Sequence, residues 1–278
     1  MPFSRVLSLE TDGTEGTWYI SPFQHGVEFV FSIILCSYLT YYGFKALLSN
    51  KNPYVKQTQK YQNLNKKVTF LEGVATLAVI VSYFFMFLHK YQRGQLSYVV
   101  QMCHFHLGLL LITLLSPKKW FLTHLVYNLE LYAIYGTVLA LLLPDTRGIS
   151  LFFEMGNFYL EHYLLLLVPF VMMFSGRYAT WNLNLPTFLL ALCSKLALVM
   201  LYSTPVALKL GTNLNYALSP PPGILETPGP YFKLAMIVLT MIFSLISRII
   251  IVESGSLTIM FVYKLGYLLN TSKEEKIE

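Results

Sequence analysis

Seven apolar stretches of about twenty residues recur along this chain, and they constrain its fold more than any other feature. A helix needs about 20 predominantly apolar residues to cross the hydrocarbon core of a bilayer. Each stretch is therefore predicted to be a transmembrane helix. The predicted spans are residues 27–48, 68–89, 96–115, 121–143, 152–174, 186–208 and 231–252.

The composition agrees with this pattern. Hydrophobic residues make up 55% and charged residues 12% of the 278 residues, and the mean hydropathy is +0.54; soluble domains contain about a quarter charged residues. We therefore predict an all-α, polytopic membrane helix bundle with about seven transmembrane helices. A polar segment at 1–26 precedes the helical domain at 27–252, and a tail follows at 253–278. The tail is apolar at 254–270, but Lys264 interrupts it, which favours a terminal extension or interfacial helix and leaves an eighth span open.

Lysine and arginine residues predict the orientation, because positively charged residues of short loops stay in the cytosol. Seven spans place eleven of these residues on one side and five on the other. The amino terminus is then lumenal and the carboxyl terminus cytosolic. Because the positive charge follows this topology, we expect no binding of nucleic acid. The three cysteines lie in apolar stretches, so we expect no structural disulfide, and no secretory signal is expected before the first span.

A thiol and several imidazoles lie inside the predicted spans. Cys103 belongs to the run Met102-Cys103-His104-Phe105-His106 of the third span, and His162 belongs to the fifth. Ionisable groups are energetically unfavourable inside a membrane and therefore indicate functional sites. A thiol beside an imidazole base is the pair that transfers an acyl group through a thioester.

The predicted topology places these two groups at similar depths. Cys103 is about seven residues inside the third span and His162 about ten inside the fifth, so at ~1.5 Å per residue their depths differ by roughly 5 Å. His106 shares a helix face with Cys103 and is a rival base, whereas His104 is turned about 100° away. Alternatively, Cys103 is a small packing residue and the histidines bond to the backbone or to one another.

Three glutamates accompany these residues. Glu154 lies at the lumenal mouth, where it either orients His162 or accepts a substrate hydroxyl, or else is a solvated acid favoured at a helix start. Glu161 adjoins His162 and is expected to point elsewhere. Glu161 and Glu130 are expected to hold the bundle together by hydrogen bonds.

The histidines do not predict a metal centre. His104 and His106 diverge on their helix, His124 enters from the cytosolic side, and the sequence has no His-x-x-x-His pair. We therefore expect no metal and no separate cofactor.

A proline-rich lumenal loop at 209–230 contains Asn213-Leu214-Asn215. Prolines fix backbone angles, so the loop is expected to be stiff, and it lies on the predicted side of Cys103. It is either a lid or head-group contact, or a rigid connector. The basic stretch at 45–67 is interpreted first as a positive-inside loop and second as a contact for anionic lipids.

Several short motifs follow one another in a fixed order: Cys103-His104 near the start of an apolar helix, Leu141-Leu142-Leu143-Pro144 followed by Thr146-Arg147, Phe153-Glu154 eight residues before His162, Val168-Pro169, Asn213-Leu214-Asn215 and Gly229-Pro230-Tyr231. In these motifs and their order the chain resembles the transmembrane protein 164 acyltransferases. The resemblance covers roughly residues 65–250. The first ~60 residues, the tail and the surroundings of the cysteine apart from His104 depart from it.

This resemblance implies a multi-pass phospholipid acyltransferase that moves a fatty acyl chain from a donor phospholipid to a lysophospholipid, including ether-linked lysophosphatidylethanolamine. It implies that Cys103 is the nucleophile and His162 the base. The expected supporting or substrate-binding residues are His104, His106, Glu154, Asn213 and Asn215. The expected partners are phospholipid and lysophospholipid, and the expected location is the endoplasmic reticulum or another endomembrane.

Three other functions remain open. The same cysteine and histidine would make a membrane lipid hydrolase if water reached the thioester. A small-solute transporter would be favoured by inverted repeats with paired broken helices, but the sequence shows no convincing repeat. A structural scaffold would explain the many aromatic residues without explaining the intramembrane glutamates and histidines.

Overall fold

The structure is a computed structural model that describes residues 19–49, 52–63, 66–146, 148–221 and 223–274, with side chains described up to residue 265. Within these ranges the chain forms helices and turns, and no β-strand. This confirms the predicted all-α class. Most of the predicted polar segment at 1–26, namely residues 1–18, lies outside the described residues.

The described residues contain eleven α-helices. These are α1 (Pro22–Leu47), α2 (Pro53–Gln62), α3 (Phe70–Gln92), α4 (Met102–Leu115), α5 (Phe121–Glu130), α6 (Ile134–Leu142), α7 (Glu154–Ser175), α8 (Leu185–Leu196), α9 (Thr204–Leu210), α10 (Phe232–Ser247) and α11 (Ser254–Glu274). Two π-helical segments join neighbouring helices: Ala197–Ser203 connects α8 to α9, and Arg248–Glu253 connects α10 to α11. Four 3-10 turns lie at Leu96–Val100, Leu214–Tyr216, Ile224–Glu226 and Gly229–Tyr231.

Six helical stretches of the described chain are long and apolar enough to cross a membrane. They are Pro22–Leu47, Phe70–Gln92, Phe121–Leu142, Glu154–Ser175, Leu185–Leu210 and Gly229–Leu265. The third predicted span corresponds to α4, an apolar helix of only 14 residues. The chain is therefore a multi-span helical membrane protein, and the predicted orientation stays a prediction.

The loops gather on two sides of the bundle. Residues 93–101, 143–146, 148–153, 211–221 and 223–228 lie on one side, which we call the thiol side because Cys103 lies there in the first turn of α4. Arg93 Nη2 lies 2.7 Å from Glu154 Oε2 on this side. Residues 48–49, 52–63, 66–69, 116–120 and 176–184 lie on the opposite side, which we call the basic side. There Gln57 Nε2 donates to Thr180 O at 3.0 Å.

Helix α7 lies at the centre of the packing, against α3, α4 and α6. The core around it includes Val79, Leu107 and Met172, each of which is 0% exposed. The outer faces of α1 and α3 instead expose large apolar side chains, such as Phe31 and Phe84. Lipid tails are as apolar as these side chains, so these faces are suited to contact with the hydrocarbon core of a bilayer.

The fourth span is broken near its middle, because α5 ends at Glu130 and α6 begins at Ile134. Tyr132 O, in the break, accepts hydrogen bonds from Lys195 Nζ at 2.6 Å and from Ser244 Oγ at 2.7 Å. Backbone groups inside a membrane must be satisfied by the protein itself. Lys195 and Ser244 therefore stabilise the break.

The last span is longer than predicted. Helices α10 and α11 continue one another through Arg248–Glu253, and residues Gly229–Leu265 form a single candidate span of 37 residues. The boundary expected between residues 252 and 253 thus falls inside a continuous helical stretch. The apolar tail is a continuation of the seventh predicted span.

Buried charges hold the basic side together. Glu72, which is 1% exposed, accepts hydrogen bonds from Arg177 Nη1 at 2.5 Å and from Tyr178 Oη at 2.9 Å. Lys118 Nζ donates to three backbone carbonyls at the end of α4, at 2.7, 3.0 and 2.8 Å. Burial, together with the charge of Arg177, lowers the pKa of Lys118 to about 8. A cation at this position satisfies the free carbonyls of the helix end.

Candidate active site at the start of helix α4

Asn215 holds the first turn of α4 in place. The residue before the helix, Gln101, makes no side-chain capping bond. Instead, Asn215 Oδ1 accepts the N–H of Met102 at 3.0 Å, and its Nδ2 donates to Val100 O at 3.1 Å and to Ser203 Oγ at 2.9 Å. Asn215 has a positive φ of 54°, a backbone conformation that asparagine tolerates better than most residues. The predicted loop residue is thus a cap supplied from outside the helix.

Cys103 is the second residue of α4, and its side chain lies within interaction range of His162 of α7. His162 is 3% exposed, whereas the thiol is half-buried. His162 Nδ1 lies 2.7 Å from Phe158 O, one turn earlier in the same helix. A carbonyl only accepts, so Nδ1 carries a proton, and Nε2 is the nitrogen left to accept a proton from the thiol. The structure therefore brings together the two residues that the sequence singled out.

His104 and Glu161 form a second contact beside the first. His104 Nδ1 donates to Glu161 Oε1 at 2.7 Å and lies 3.7 Å from Cys103 Sγ. Both side chains are buried, at 8% and 2% exposure. Glu161 does bond two helices together, as expected, but it also belongs to the cluster around Cys103, which the sequence argument missed. One feature of the sequence could have revealed this cluster: two adjacent pairs of ionisable residues, 103–104 and 161–162, lie at similar predicted depths on two helices.

His106 does not face the thiol. Its Nδ1 lies 3.0 and 2.9 Å from the two carboxylate oxygens of Glu130, so it links α4 to α5. A cavity of about 10 Å³, room for about one water molecule, lies beside this pair. Of the two histidines considered as the base, His106 therefore pairs with Glu130, and His162 is the one near the thiol. The prediction that Glu130 forms hydrogen bonds within the bundle agrees with the structure.

Glu154 begins α7 and is fully engaged there. Its carboxylate accepts from Arg93 Nε at 2.8 Å and Nη2 at 2.7 Å, and from the N–H groups of Ser150 and Leu151 at 3.0 Å each. Glu154 does stand at a helix start, as one alternative expected, but it is paired with Arg93 and with two amides of the turn before α7 rather than solvated. None of these bonds involves His162.

Asn213 organises its own loop. Its Oδ1 accepts from the N–H groups of Leu218 and Ser219 at 2.9 and 3.2 Å, and its Nδ2 donates to Ser219 O and Oγ at 3.0 and 2.7 Å. It makes no bond to α4. The two asparagines of the loop, expected together as substrate-binding residues, therefore have different structural roles.

Three groups of the cluster are of the types that bind metals. Cys103 Sγ, His104 Nδ1 and a carboxylate oxygen of Glu161 all lie within 4.8 Å of one another. Spacing along the sequence did not reveal this group, because its members come from two helices. However, ligands of one tetrahedral zinc, at about 2.1 Å from the metal, lie roughly 3.4 Å apart. The 2.7 Å between His104 and Glu161 is a hydrogen-bond distance instead.

Comparison with known proteins adds two findings. The sequence model of a family described as the TMEM164 family matches residues 19–250. The chain is also similar to the protein named "Transmembrane protein 164 homolog" of Dictyostelium discoideum, with 25% identity over 211 residues that cover 74% of each chain. No solved structure matches the chain. The matched range of the family contains every residue of the cluster around Cys103.

Proposed function

The chain belongs to the TMEM164 family, and we propose that it is a membrane-embedded acyltransferase that moves a fatty acyl chain from a phospholipid to a lysophospholipid through a thioester on Cys103. One observation carries the proposal. A half-buried thiol at a helix start lies within interaction range of His162, whose Nδ1 already donates to a backbone carbonyl. A nucleophile, a base in the correct tautomer and a group that orients the base are what acyl transfer needs.

In the first half of the reaction, His162 Nε2 takes the proton of the Cys103 thiol. The thiolate attacks the carbonyl carbon of a phospholipid ester, and the bond between that carbon and the glycerol oxygen breaks. His162 then gives its proton to the departing oxygen, so that a lysophospholipid leaves and the acyl group stays on sulfur.

In the second half, His162 takes the proton from the hydroxyl of an acceptor lysophospholipid. The hydroxyl oxygen attacks the thioester carbonyl, the carbon–sulfur bond breaks, and the new phospholipid departs. The thiolate of Cys103 regains its proton from His162. The lipid donor carries the acyl group, so the proposed cycle has no net consumption of another cofactor.

Three further features support the charge changes of this cycle. The start of a helix carries partial positive charge, which stabilises an anionic sulfur at Cys103. Of the first-turn amides, Met102 N–H bonds to Asn215 and Phe105 N–H to Gln101 O, which leaves the amides of Cys103 and His104 for an oxyanion. The Glu161–His104 pair holds the second side of the sulfur in a fixed polar environment.

The test is to place the protein in lipid nanodiscs with an acyl-labelled phosphatidylcholine and to look for the label on Cys103 by mass spectrometry. We expect a hydroxylamine-sensitive adduct in the wild type and none in Cys103→Ala. His162→Ala should slow adduct formation by roughly 10²–10⁴-fold, the usual contribution of a general base. His106→Ala is the matched control, because it removes a histidine that lies in α4 together with Cys103 but pairs with Glu130 instead of the thiol. This variant should still form the adduct.

Addition of a lysophospholipid then separates transfer from hydrolysis. A transferase makes labelled phospholipid at the expense of free fatty acid, whereas a hydrolase releases the same fatty acid with or without the acceptor. Absence of any adduct, with equal lipid turnover in all variants, would overturn the thioester mechanism and favour a transporter. A phospholipid-remodelling role also leads us to infer an endomembrane, such as the endoplasmic reticulum, as the site of action.

A further inference from the structure

Lys90 flanks the approach to Cys103 on the thiol side. It lies in the last turn of α3 and is half-buried. Its ammonium interacts electrostatically with Cys103, Glu161 and Glu154. Its Nζ also lies 5.5 Å from the ring centre of Tyr98, which belongs to the 3-10 turn leading into α4. A positive charge is therefore present next to the candidate nucleophile.

Lys90 differs from the other sheltered cations. Seven lysine and arginine side chains of the described residues are not exposed to solvent. Six of them bond to or pair with protein oxygens: Arg93, Lys118, Arg177, Lys195, Lys233 and Arg248. Lys90 makes no hydrogen bond or ion pair with any described residue. Its ammonium has the Tyr98 ring beside it but no protein oxygen, which leaves its N–H donors free for a partner from outside the chain.

The neighbouring carboxylates do not supply that partner. Glu161 is engaged by His104 at 2.7 Å, and Glu154 is engaged by Arg93 and two backbone amides. Neither forms an ion pair with Lys90. The position therefore suits an anion that arrives with the substrate.

We propose that Lys90 binds the phosphate of the phospholipid whose ester meets Cys103. The inference rests on the proposed function, and it names the substrate group that orients the lipid. Lysine is a compact point charge and a common ligand of phosphate. In a glycerophospholipid the phosphate lies one glycerol unit from the acyl esters. A phosphate held at Lys90 thus places an ester near the sulfur and selects phosphate-bearing lipids over neutral glycerolipids.

A binding experiment tests this without chemistry. Full-length protein is titrated with lysophosphatidylcholine or with a monoacylglycerol of the same acyl chain, and binding is followed by native mass spectrometry. Lys90→Met should weaken binding of the phosphate-bearing lipid by roughly tenfold, the effect of one hydrogen bond to a charged group, and leave the monoacylglycerol unchanged. Lys90→Arg should keep most of the preference. The matched control is Lys209→Met, an exposed lysine near the same side, which should behave as the wild type.

Unchanged binding of both lipids in Lys90→Met, or equal partial weakening of both, would overturn the inference. The monoacylglycerol measurement also reports whether the variant is folded. If Lys90→Met binds neither lipid, Lys90→Gln decides between a folding defect and a true loss: monoacylglycerol binding with selective loss of the phosphate-bearing lipid supports the inference, and equal loss again overturns it.

An acylation experiment separates this inference from the proposed function. Phosphatidylcholine and diacylglycerol with the same chains serve as donors to Cys103. Selective slowing of the phospholipid donor in Lys90→Met supports a phosphate contact, whereas equal slowing of both donors shows that Lys90 acts on the thiol and overturns it. If wild type forms no adduct but binding selectivity depends on Lys90, the acyltransferase proposal fails and the phosphate site stands.

Discussion

Asn215 caps the cysteine helix from a different part of the chain, and its replacement by glycine tests how far this contact orders the site. Glycine adopts the positive φ of 54° without strain, so the change removes the side chain and keeps the backbone conformation. Helix α4 has no capping side chain of its own. The N–H of Met102 therefore loses its acceptor.

The magnitude follows from the three hydrogen bonds of Asn215. Loss of the cap on Met102 N–H at 3.0 Å should cost about 1 kcal/mol. The bonds donated to Val100 O and Ser203 Oγ should contribute about 1 kcal/mol each. We expect a loss of about 3 kcal/mol in the free energy of unfolding. The lost bond to Met102 N–H stabilises the first turn of α4 by about 1 kcal/mol of this total, so the turn should open roughly fivefold more often in the variant.

Hydrogen exchange followed by mass spectrometry in nanodiscs measures that opening directly, in peptides that contain residues 101–106. Asn215→Gly should exchange roughly fivefold faster there and should also acylate Cys103 more slowly. Asn213→Gly is the matched control, because Asn213 makes a similar number of bonds within the same loop and none to α4. Exchange that is equally fast in both variants, or unchanged in Asn215→Gly, would refute the cap as the cause of order at Cys103.

Two further predictions concern buried charges. Glu161→Gln replaces a charged acceptor of His104 by a neutral one and should lower the free energy of unfolding by about 2 kcal/mol and slow acylation of Cys103; thermal unfolding and single-turnover acylation measure this, and wild-type values of both would contradict it. Burial and the charge of Arg177 hold the pKa of Lys118 at about 8, below its ordinary 10.5. Between these two values the unfolded chain binds more protons than the folded one, so the stability should rise as the pH rises through this window. In detergent, Lys118→Met should abolish that rise in the unfolding midpoint and exposed Lys119→Met should keep it; the same pH slope in both variants would count against the argument.

Hydropathy located the long helices because the bilayer imposes one length scale on all of them. The second predicted span, 68–89, agrees with Phe70–Gln92 to within three residues at each end. The start of the third predicted span was wrong: residues 96–115 were expected, but α4 begins at Met102. Residues 96–100 are apolar but form a 3-10 turn, and an apolar composition does not distinguish the two kinds of helix.

The candidate site was predictable only as far as depth along the membrane. Counting residues brought Cys103 and His162 to similar levels, and the structure places their side chains within interaction range of each other. The rotation of each helix about its axis depends on packing with distant segments, which local sequence does not encode. This is why the partners of His104 and His106 were not identified, although Glu161 and Glu130 were both expected to form hydrogen bonds within the bundle.

The shortness of α4 has a consequence for the lipid around it. Its 14 residues span about 21 Å at 1.5 Å per residue, against about 30 Å of hydrocarbon in a typical bilayer. Neighbouring α3 and α7, with 23 and 22 residues, are long enough to cross. One way in which a bilayer adapts to a helix shorter than its hydrocarbon core is to become thinner around that helix. For the proposed acyltransferase, such thinning would bring head groups and ester carbonyls closer to Cys103, so that the thickness of the surrounding membrane would set how readily a lipid reaches the thiol.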